Sequence, residues 1–364
     1  MNRDRRSRSY RIRQKRKREL MIKTSALITV TVLIFAGSVG IWKNQHQTEG
    51  DTKKQAGLQK REVVAEPTEE ITEEIKEVFQ YPEKSEKYVE IVSENVKSPY
   101  VALLDVEKNE IIAGRNSDTK IYPASMTKVM SLIVAVEHIQ DLNQTFQMTA
   151  ELVDPLVYAG ASRAGFEAGD TVTAKDMLYG LILPSGADAA VGLATMVAGS
   201  ESAFADMMNE KCEELGLKNT HFMNASGLHD ENQYTTPVEM AMILKYAMEN
   251  EICAEVLSTY QYTTAALASN PEGILLTSTM FSRMYGTEVE GVVIQAGKTG
   301  YTDEARNCLV SYAEKNGHHY VALTAGAENR WYVIYDDFEI YGQYLPEEVL
   351  AEENVTSESG YGVD

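Results

Sequence analysis

Tyr122-Pro123-Ala124-Ser125-Met126-Thr127-Lys128-Val129-Met130-Ser131-Leu132-Ile133-Val134-Ala135-Val136-Glu137 is the stretch from which the rest of the chain can be read. After the Tyr-Pro-Ala opening, Met126, Val129, Met130, Ile133 and Val136 recur at helical spacing, so a helix is expected over Ser125–Glu137. Ser125 and Lys128 stand three positions apart and share a face of that helix, which brings the amine within reach of the hydroxyl. A neutral lysine beside a serine is a competent nucleophile–base pair without histidine. The spacing alone says little: with 22 Ser and 20 Lys in 364 residues, chance supplies about 1.2 such pairs. A second does occur, at Ser117-Asp-Thr-Lys120, but it lies in a polar turn with no helix start before it.

Upstream, Tyr100-Val-Ala-Leu-Leu-Asp105 and Ile111-Ile-Ala-Gly114 read as two strands around the turn Glu107-Lys-Asn-Glu110. Downstream, helices are expected at Ala174–Leu183, Asp188–Val197, Ser202–Leu215 and Pro237–Met248. Strands return at Gly291–Ala296, Cys308–Ala313 and Tyr320–Ala325, with the hairpin signal Asn316-Gly317 between the last two. Strands, then helices, then strands imply a sheet assembled from both ends of one α+β domain, with a helical subdomain inserted.

Two further segments in this frame carry chemistry. Pro184-Ser185-Gly186-Ala187-Asp188 lies between two helical patterns, where a Ser-Gly is ordinarily just a cap. Gly297-Lys298-Thr299-Gly300-Tyr301 ends a strand. There glycine lets a ligand approach the backbone, while lysine and threonine offer cationic and hydroxyl contacts to a carboxylate.

The N-terminus concerns location. Residues 1–23 hold 11 Lys/Arg against Asp4 and Glu19, a net of +9, whereas the remainder carries −29. Clustered phosphate contacts need a basic folded part, so the acidic bulk disfavours nucleic acid. Thr24–Trp42 is 19 residues without a charge; as a helix it would be roughly 28 Å long, close to a bilayer's hydrocarbon thickness. The basic flank should stay cytoplasmic, making 24–42 a retained anchor and placing all that follows outside. A cleaved signal peptide is the competing reading, with Ala36-Gly37-Ser38 only a loose cleavage site. Residues 43–88, with 11 acidic and 8 basic side chains, read as an extracytoplasmic stalk. Ile71, Ile75, Val78 and Phe79 at helical spacing allow a short amphipathic helix there. The folded domain is then 89–345, followed by an acidic, disordered tail, 346–364.

Ser125-x-x-Lys128, Ser185-Gly-Ala187 and Lys298-Thr-Gly300, in that order, resemble the serine penicillin-recognising enzymes, whose signatures are Ser-x-x-Lys, Ser-x-Asn and Lys-Thr-Gly. The sequence is most similar to the low-molecular-mass penicillin-binding proteins, the serine D-alanyl-D-alanine carboxypeptidases of peptidase family S11. The likeness runs over about Tyr100–Ala327 and includes Thr220-His-Phe-Met-Asn-Ala-Ser-Gly-Leu228 and Thr235-Thr-Pro-Val-Glu-Met-Ala241. It implies a β-lactamase/transpeptidase-like fold. Ser125 would attack the carbonyl of a terminal D-Ala–D-Ala bond in a peptidoglycan stem peptide, or a β-lactam, and Lys128 would take its proton. The same resemblance gives Ser185 the proton relay to the leaving amine. It assigns the substrate carboxylate to Lys298, Thr299 and Gly300, and the oxyanion to the backbone N–H groups of Ser125 and Tyr301. No metal or organic cofactor is implied. Lysine can act as the base only with its pKa brought towards neutrality, which burial and a second cation, here Lys298, would do.

Two features depart from the family. Ala187 stands where the second motif ordinarily has Asn, so the amide's hydrogen bonds are missing or supplied elsewhere. Many relatives also carry a C-terminal β-rich domain and an amphipathic membrane helix, whereas this sequence ends about 19 residues past Leu345. A β-lactamase would be expected to carry a Glu-x-x-Leu-Asn segment, which is lacking here. A catalytically weakened, membrane-anchored protein that binds peptidoglycan or β-lactam is the other alternative, resting on Ala187. Gly291 to Gly297-Lys-Thr has one residue too many for a phosphate loop. His138, His221, His229, His318 and His319 lack a G-x-S-x-G partner, and His229 is expected on a surface loop. Cys212, Cys253 and Cys308 are expected as buried apolar residues.

Overall fold

The computed structural model describes residues 79–284 and 289–346. Its frame is a six-stranded sheet built from β1 (Glu83–Glu90), β2 (Tyr100–Asp105), β3 (Glu110–Arg115), β4 (Val292–Thr302), β5 (Arg306–Lys315) and β6 (His318–Ala327). Their order across the sheet is β1-β3-β2-β6-β5-β4. The two ends of the domain meet in the middle, where β2 and β6 run antiparallel with Leu103 opposite Ala322. Every pairing is antiparallel except β1 on β3. Asn316 and Gly317 both have positive φ, 54° and 81°, as a two-residue hairpin of the primed type requires.

The central strands are apolar on both faces because both are covered. Val101 and Leu103 of β2 and Tyr320 and Ala322 of β6 pack with Ile340 and Tyr341 of a C-terminal helix. The alternate residues Ala102, Leu104, Val321 and Leu323 join a larger core on the opposite face. That second core holds the insertion between β3 and β4: α1 (Thr127–His138), α2 (Ala150–Tyr158), α3 (Ala174–Ile182), α4 (Ala187–Ala198), α5 (Glu201–Glu214), α6 (Pro237–Glu249) and α7 (Glu251–Ser258). The C-terminal helix is α8 (Tyr332–Gln343). Residues 127–136 of α1 are buried all round, the state of a helix at the centre of a fold rather than on its surface. Side-chain caps set several starts: Thr173 accepts the Asp176 N–H before α3, Ser200 the Ala203 N–H before α5, and Thr236 the Glu239 N–H before α6.

The expected α+β order and helical insertion are therefore present, and three boundaries need correcting. Glu83–Tyr88, assigned to the stalk, belong to β1; the run EKSEKYVE is exposed enough to look like linker because it forms a sheet edge. Lys298-Thr-Gly does not end its strand, since β4 continues to Thr302. The helix at Ser125 opens as a 3-10 turn, Ala124–Met126, before α1 begins. Helices α2, α7 and α8 and two small two-stranded antiparallel sheets, Thr145–Gln147 with Thr171–Thr173 and Gln261–Thr263 with Leu275–Thr277, have no counterpart in the expected pattern. The basic block 1–23, the apolar stretch 24–42, the stalk as far as 78 and the tail from 347 lie outside the described residues. Among the described residues no helix is long and apolar enough to cross a membrane, and no cluster of His, Cys, Asp or Glu could hold a metal ion.

Candidate active site

Ser125 sits half-buried in the 3-10 turn, directly before α1. The turn is strained, because Ala124 has a φ of +45°, a region L-residues seldom occupy. It is clamped by two glycines from distant segments. A β-carbon on Gly227 would lie 2.1 Å from the Ala124 carbonyl oxygen and 3.0 Å from Ser125 Cα. One on Gly300 would lie 3.1 Å from the Pro123 carbonyl oxygen and 3.2 Å from the Ser125 backbone nitrogen. The Lys-Thr-Gly strand and the Asn-Ala-Ser-Gly loop thus close on the serine from two sides; only hydrogen fits at Gly227, and at Gly300 a side chain would be tight.

One helical turn on, Lys128 Nζ donates to Ser125 Oγ at 3.1 Å and also to the Ser226 carbonyl oxygen. The side chain is buried, and burial pushes its pKa down to about 7, against the opposing pull of the Asp188 and Glu201 carboxylates. Across the site, Lys298 Nζ donates to Ser185 Oγ at 2.8 Å and to the Thr299 carbonyl oxygen at 2.9 Å. Ser185, with a φ of +67°, is a second strained residue, in the loop joining α3 to α4. Lys298 is driven well below the ordinary ammonium range, first by burial, then by repulsion from Lys128 and Arg283. That repulsion is mutual, so the two buried amines do not readily hold two protons together.

Ser125, Ser185, Thr299, Gly300 and Tyr301 line one cleft of about 330 Å³. Thr299 Oγ1 is hydrogen-bonded to Thr279 Oγ1 at 2.7 Å. Tyr301 is 55% exposed, its hydroxyl donating to Asp303 at 2.7 Å. Every residue singled out for chemistry is therefore at or beside this cleft. The discounted pair Ser117 and Lys120 is elsewhere engaged: the Ser117 hydroxyl donates to Asp118, and the Lys120 ammonium lies 3.9 Å from the Tyr234 ring centre. His229 is exposed, its ring edge-on to Tyr122 at 4.8 Å. All three cysteines are buried and unpaired.

At the departure from the usual second motif, the Ala187 side chain is buried in a small apolar cluster with Leu156 and Val191, and its N–H donates to the Ser162 carbonyl oxygen at 2.7 Å. The next residue holds the loop over this corner. Asp188 accepts from the backbone N–H groups of Ala164, Gly165, Phe166 and Ala189 at 2.7–3.0 Å. Ser162 itself lines the cleft, as do Arg283 and Arg330. Sequence reading assigned no role to Asp188, Glu201, Ser226, Ser162 or the two arginines. The one available signal was the Asn224-Ala-Ser-Gly227 segment, whose part in the site depends on a tertiary contact no local pattern displays.

Fold and site together define the class: an antiparallel sheet with a helical insertion, a Ser-x-x-Lys helix start and a Lys-Thr-Gly edge strand facing each other across a cleft. The chain belongs to the D-alanyl-D-alanine carboxypeptidase family, peptidase S11, whose family model matches residues 87–329. It is 32% identical over 225 residues to D-alanyl-D-alanine carboxypeptidase DacF of Bacillus subtilis, covering 62% of this chain and 56% of that one. It is 31% identical over 219 residues to DacB2 of Mycobacterium tuberculosis, covering 60% and 70%. The chain thus spans little more than half of the first relative's length and 70% of the second's. Among solved structures, the Streptomyces K15 DD-transpeptidase superposes with a TM-score of 0.61 at 27% identity, covering 69% of this chain and 98% of that one.

Proposed function

We propose that this protein is a serine D,D-carboxypeptidase that removes the terminal D-Ala from peptidoglycan stem peptides through an acyl-enzyme on Ser125, and that β-lactams acylate the same serine. The observation that carries the reading is the 3.1 Å contact between Ser125 Oγ and a buried Lys128 whose pKa is about 7. At neutral pH a large share of Lys128 is then unprotonated and able to accept the Ser125 proton as Oγ bonds to the substrate carbonyl carbon. The Ser125 and Tyr301 N–H groups are the proposed donors to the resulting oxyanion; losing one such donor typically costs about 100- to 1000-fold in rate. Collapse breaks the C–N bond, and the proton that Lys128 took from Ser125 passes by way of Ser185, whose oxygen is held by Lys298, to the departing D-Ala amine, which leaves Lys128 neutral again. Lys298, Thr299 and the Gly300 backbone hold the substrate's terminal carboxylate. An arriving carboxylate restores a proton to Lys298 by offsetting the repulsion from Lys128. Water then cleaves the ester, with Lys128 as base, and Ser125 regains its proton.

Family membership fits action on the cell wall, outside the cytoplasm. In this proposal Thr24–Trp42 tethers the domain to the membrane and the basic block 1–23 stays inside. The test is mass spectrometry of the penicillin-treated protein, followed by assay of D-Ala release from a peptide ending in D-Ala–D-Ala. One covalent penicillin per chain, abolished by Ser125→Ala, with D-Ala release abolished in parallel, is the expected result. No adduct, or one indifferent to Ser125→Ala, sinks the assignment; an adduct without D-Ala release leaves the binding-protein alternative standing.

A further inference from the structure

Glu201 is the first residue of α5, and its Oε1 accepts the Ala225 backbone N–H at 3.1 Å. The other side of the same short strip of main chain is gripped by α1. Ser131 Oγ donates to the Ala225 carbonyl oxygen at 2.7 Å, and Lys128 Nζ donates to the carbonyl oxygen of Ser226. Gly227 follows immediately, pressed on Ala124 and Ser125. Ala225–Gly227 is therefore a backbone splint between α5 and the nucleophile turn, with Glu201 as its anchor on the far side.

The charges around Lys128 come from three elements. Asp188 faces it from α4 and Glu201 from α5, both favouring the ammonium against the effect of burial, while Lys298 on β4 is itself held low by Lys128 and Arg283. Asp188 already accepts four main-chain N–H groups and its removal would free the 164–166 loop. Glu201 accepts one. Its charge can be deleted while that bond is kept.

We propose that Glu201 is a positioning residue for Lys128: it anchors the strip of backbone whose carbonyl accepts from Lys128, and its negative charge offsets the burial of the amine so that Lys128 can hold the proton taken from Ser125. The kinetic part of this inference rests on the acyl-transfer reading of the site; the electrostatic part does not. A base that collects a proton in one step and returns it in the next needs its charged form stabilised in between. For an amine buried as Lys128 is, that requires a carboxylate nearby.

The experiment uses the full chain with 13C-labelled lysine, the Lys128 side-chain resonance being assigned by its loss in Lys128→Arg. Glu201→Gln keeps an oxygen for the Ala225 N–H and removes the charge, whereas Glu201→Ala removes both. In Glu201→Gln the Lys128 titration midpoint is expected to fall by roughly 0.5–1 pH unit, and the acid limb of penicillin acylation should move down with it. In Glu201→Ala, acylation should slow roughly tenfold across the pH range as the anchoring bond disappears. Melting temperatures of both variants distinguish these effects from unfolding. An unmoved Lys128 midpoint in Glu201→Gln overturns the proposal, as does a pH-independent slowing equal to that of Glu201→Ala. If wild-type Ser125 is not acylated at all, the proposed function fails, and the midpoint still decides the role of Glu201.

Discussion

Ala187 is where the family resemblance and the local packing pull apart. Its side chain faces Leu156 and Val191, so the position that ordinarily supplies an amide here supplies apolar packing. An Asn at 187 would bury an amide against that cluster, at a cost of about 1–3 kcal/mol if it found no partner. The side chain is therefore driven towards the polar cleft, where Ser162, Ser185 and Ser125 lie. Ala187→Asn should lower stability while raising kcat/KM for D-Ala release more than about twofold, through better substrate positioning. Steady-state release measured beside a denaturation curve checks both; release unchanged within that margin means the missing amide does not limit the reaction. The contrast shows which site residues are legible in sequence. Ser125 and Lys128 are tied by a helical turn, and Lys298, Thr299 and Gly300 by a strand, so local spacing fixes their relation. Glu201, Ser226 and Arg283 reach the site only through tertiary packing, and their local patterns are those of an ordinary helix start, turn and short helix.

At the scale of the element, α8 shows why a helix can be missed. Its sequence YVIYDDFEIYGQ places Asp336 and Asp337 where an apolar stripe should run, and both are buried. Asp336 is accounted for, accepting the Lys97 and Ser98 N–H groups at 2.8 and 2.6 Å. Among the described residues Asp337 accepts only from Ser311 Oγ, at 2.7 Å, and its second oxygen has no partner. Burial, with Asp336 adjacent, pushes its pKa up to about 8, so the folded protein holds a proton there that the unfolded chain releases near the ordinary value of 3.8. The sign follows: this proton's contribution to stability is complete below about pH 4 and fades as pH rises towards 8. The decline amounts to about 1.4 kcal/mol per pH unit within that window. Asp337→Asn keeps an acceptor for Ser311 and cannot ionise. Urea denaturation at about pH 6 and pH 8 should show wild type losing some 2–3 kcal/mol more than the variant. Parallel declines would mean that Asp337 is not protonated in the fold. The strands are far more legible than α8, because their unbroken apolar runs and the Asn316-Gly317 turn are written in consecutive residues.

At the scale of the whole molecule, the sheet order separates what stabilises the domain from what performs the chemistry. β1 forms one edge and β4, with Lys298 and Thr299, the other. The chain entering β1 is tied down before the strand begins: Phe79 meets the Tyr246 ring edge-on at 5.8 Å, and Asn109 Nδ2 donates to the Gln80 carbonyl oxygen at 3.0 Å. Glu83 and Lys84 then pair with Glu110 and Ile111. A domain cut at Val89, the boundary that composition suggests, has none of these interactions, while one cut before Phe79 keeps them. The shorter form should melt lower by about 5 °C, the effect of removing on the order of 2 kcal/mol from a domain of this size. Its unfolded fraction should remain small at room temperature, because folded domains of this kind ordinarily hold about 5–15 kcal/mol in reserve. Penicillin acylation at about 20 °C, normalised to folded protein, should then agree between the two forms within about twofold, since none of the β1 interactions reaches the Ser125 turn and coupling between distant sites is usually small. Equal melting temperatures would show that β1 is dispensable. Failure of a folded shorter form to acylate would show that the two edges of the sheet are coupled, and that the polar run from Phe79 to Glu90 helps to set the geometry of the nucleophile.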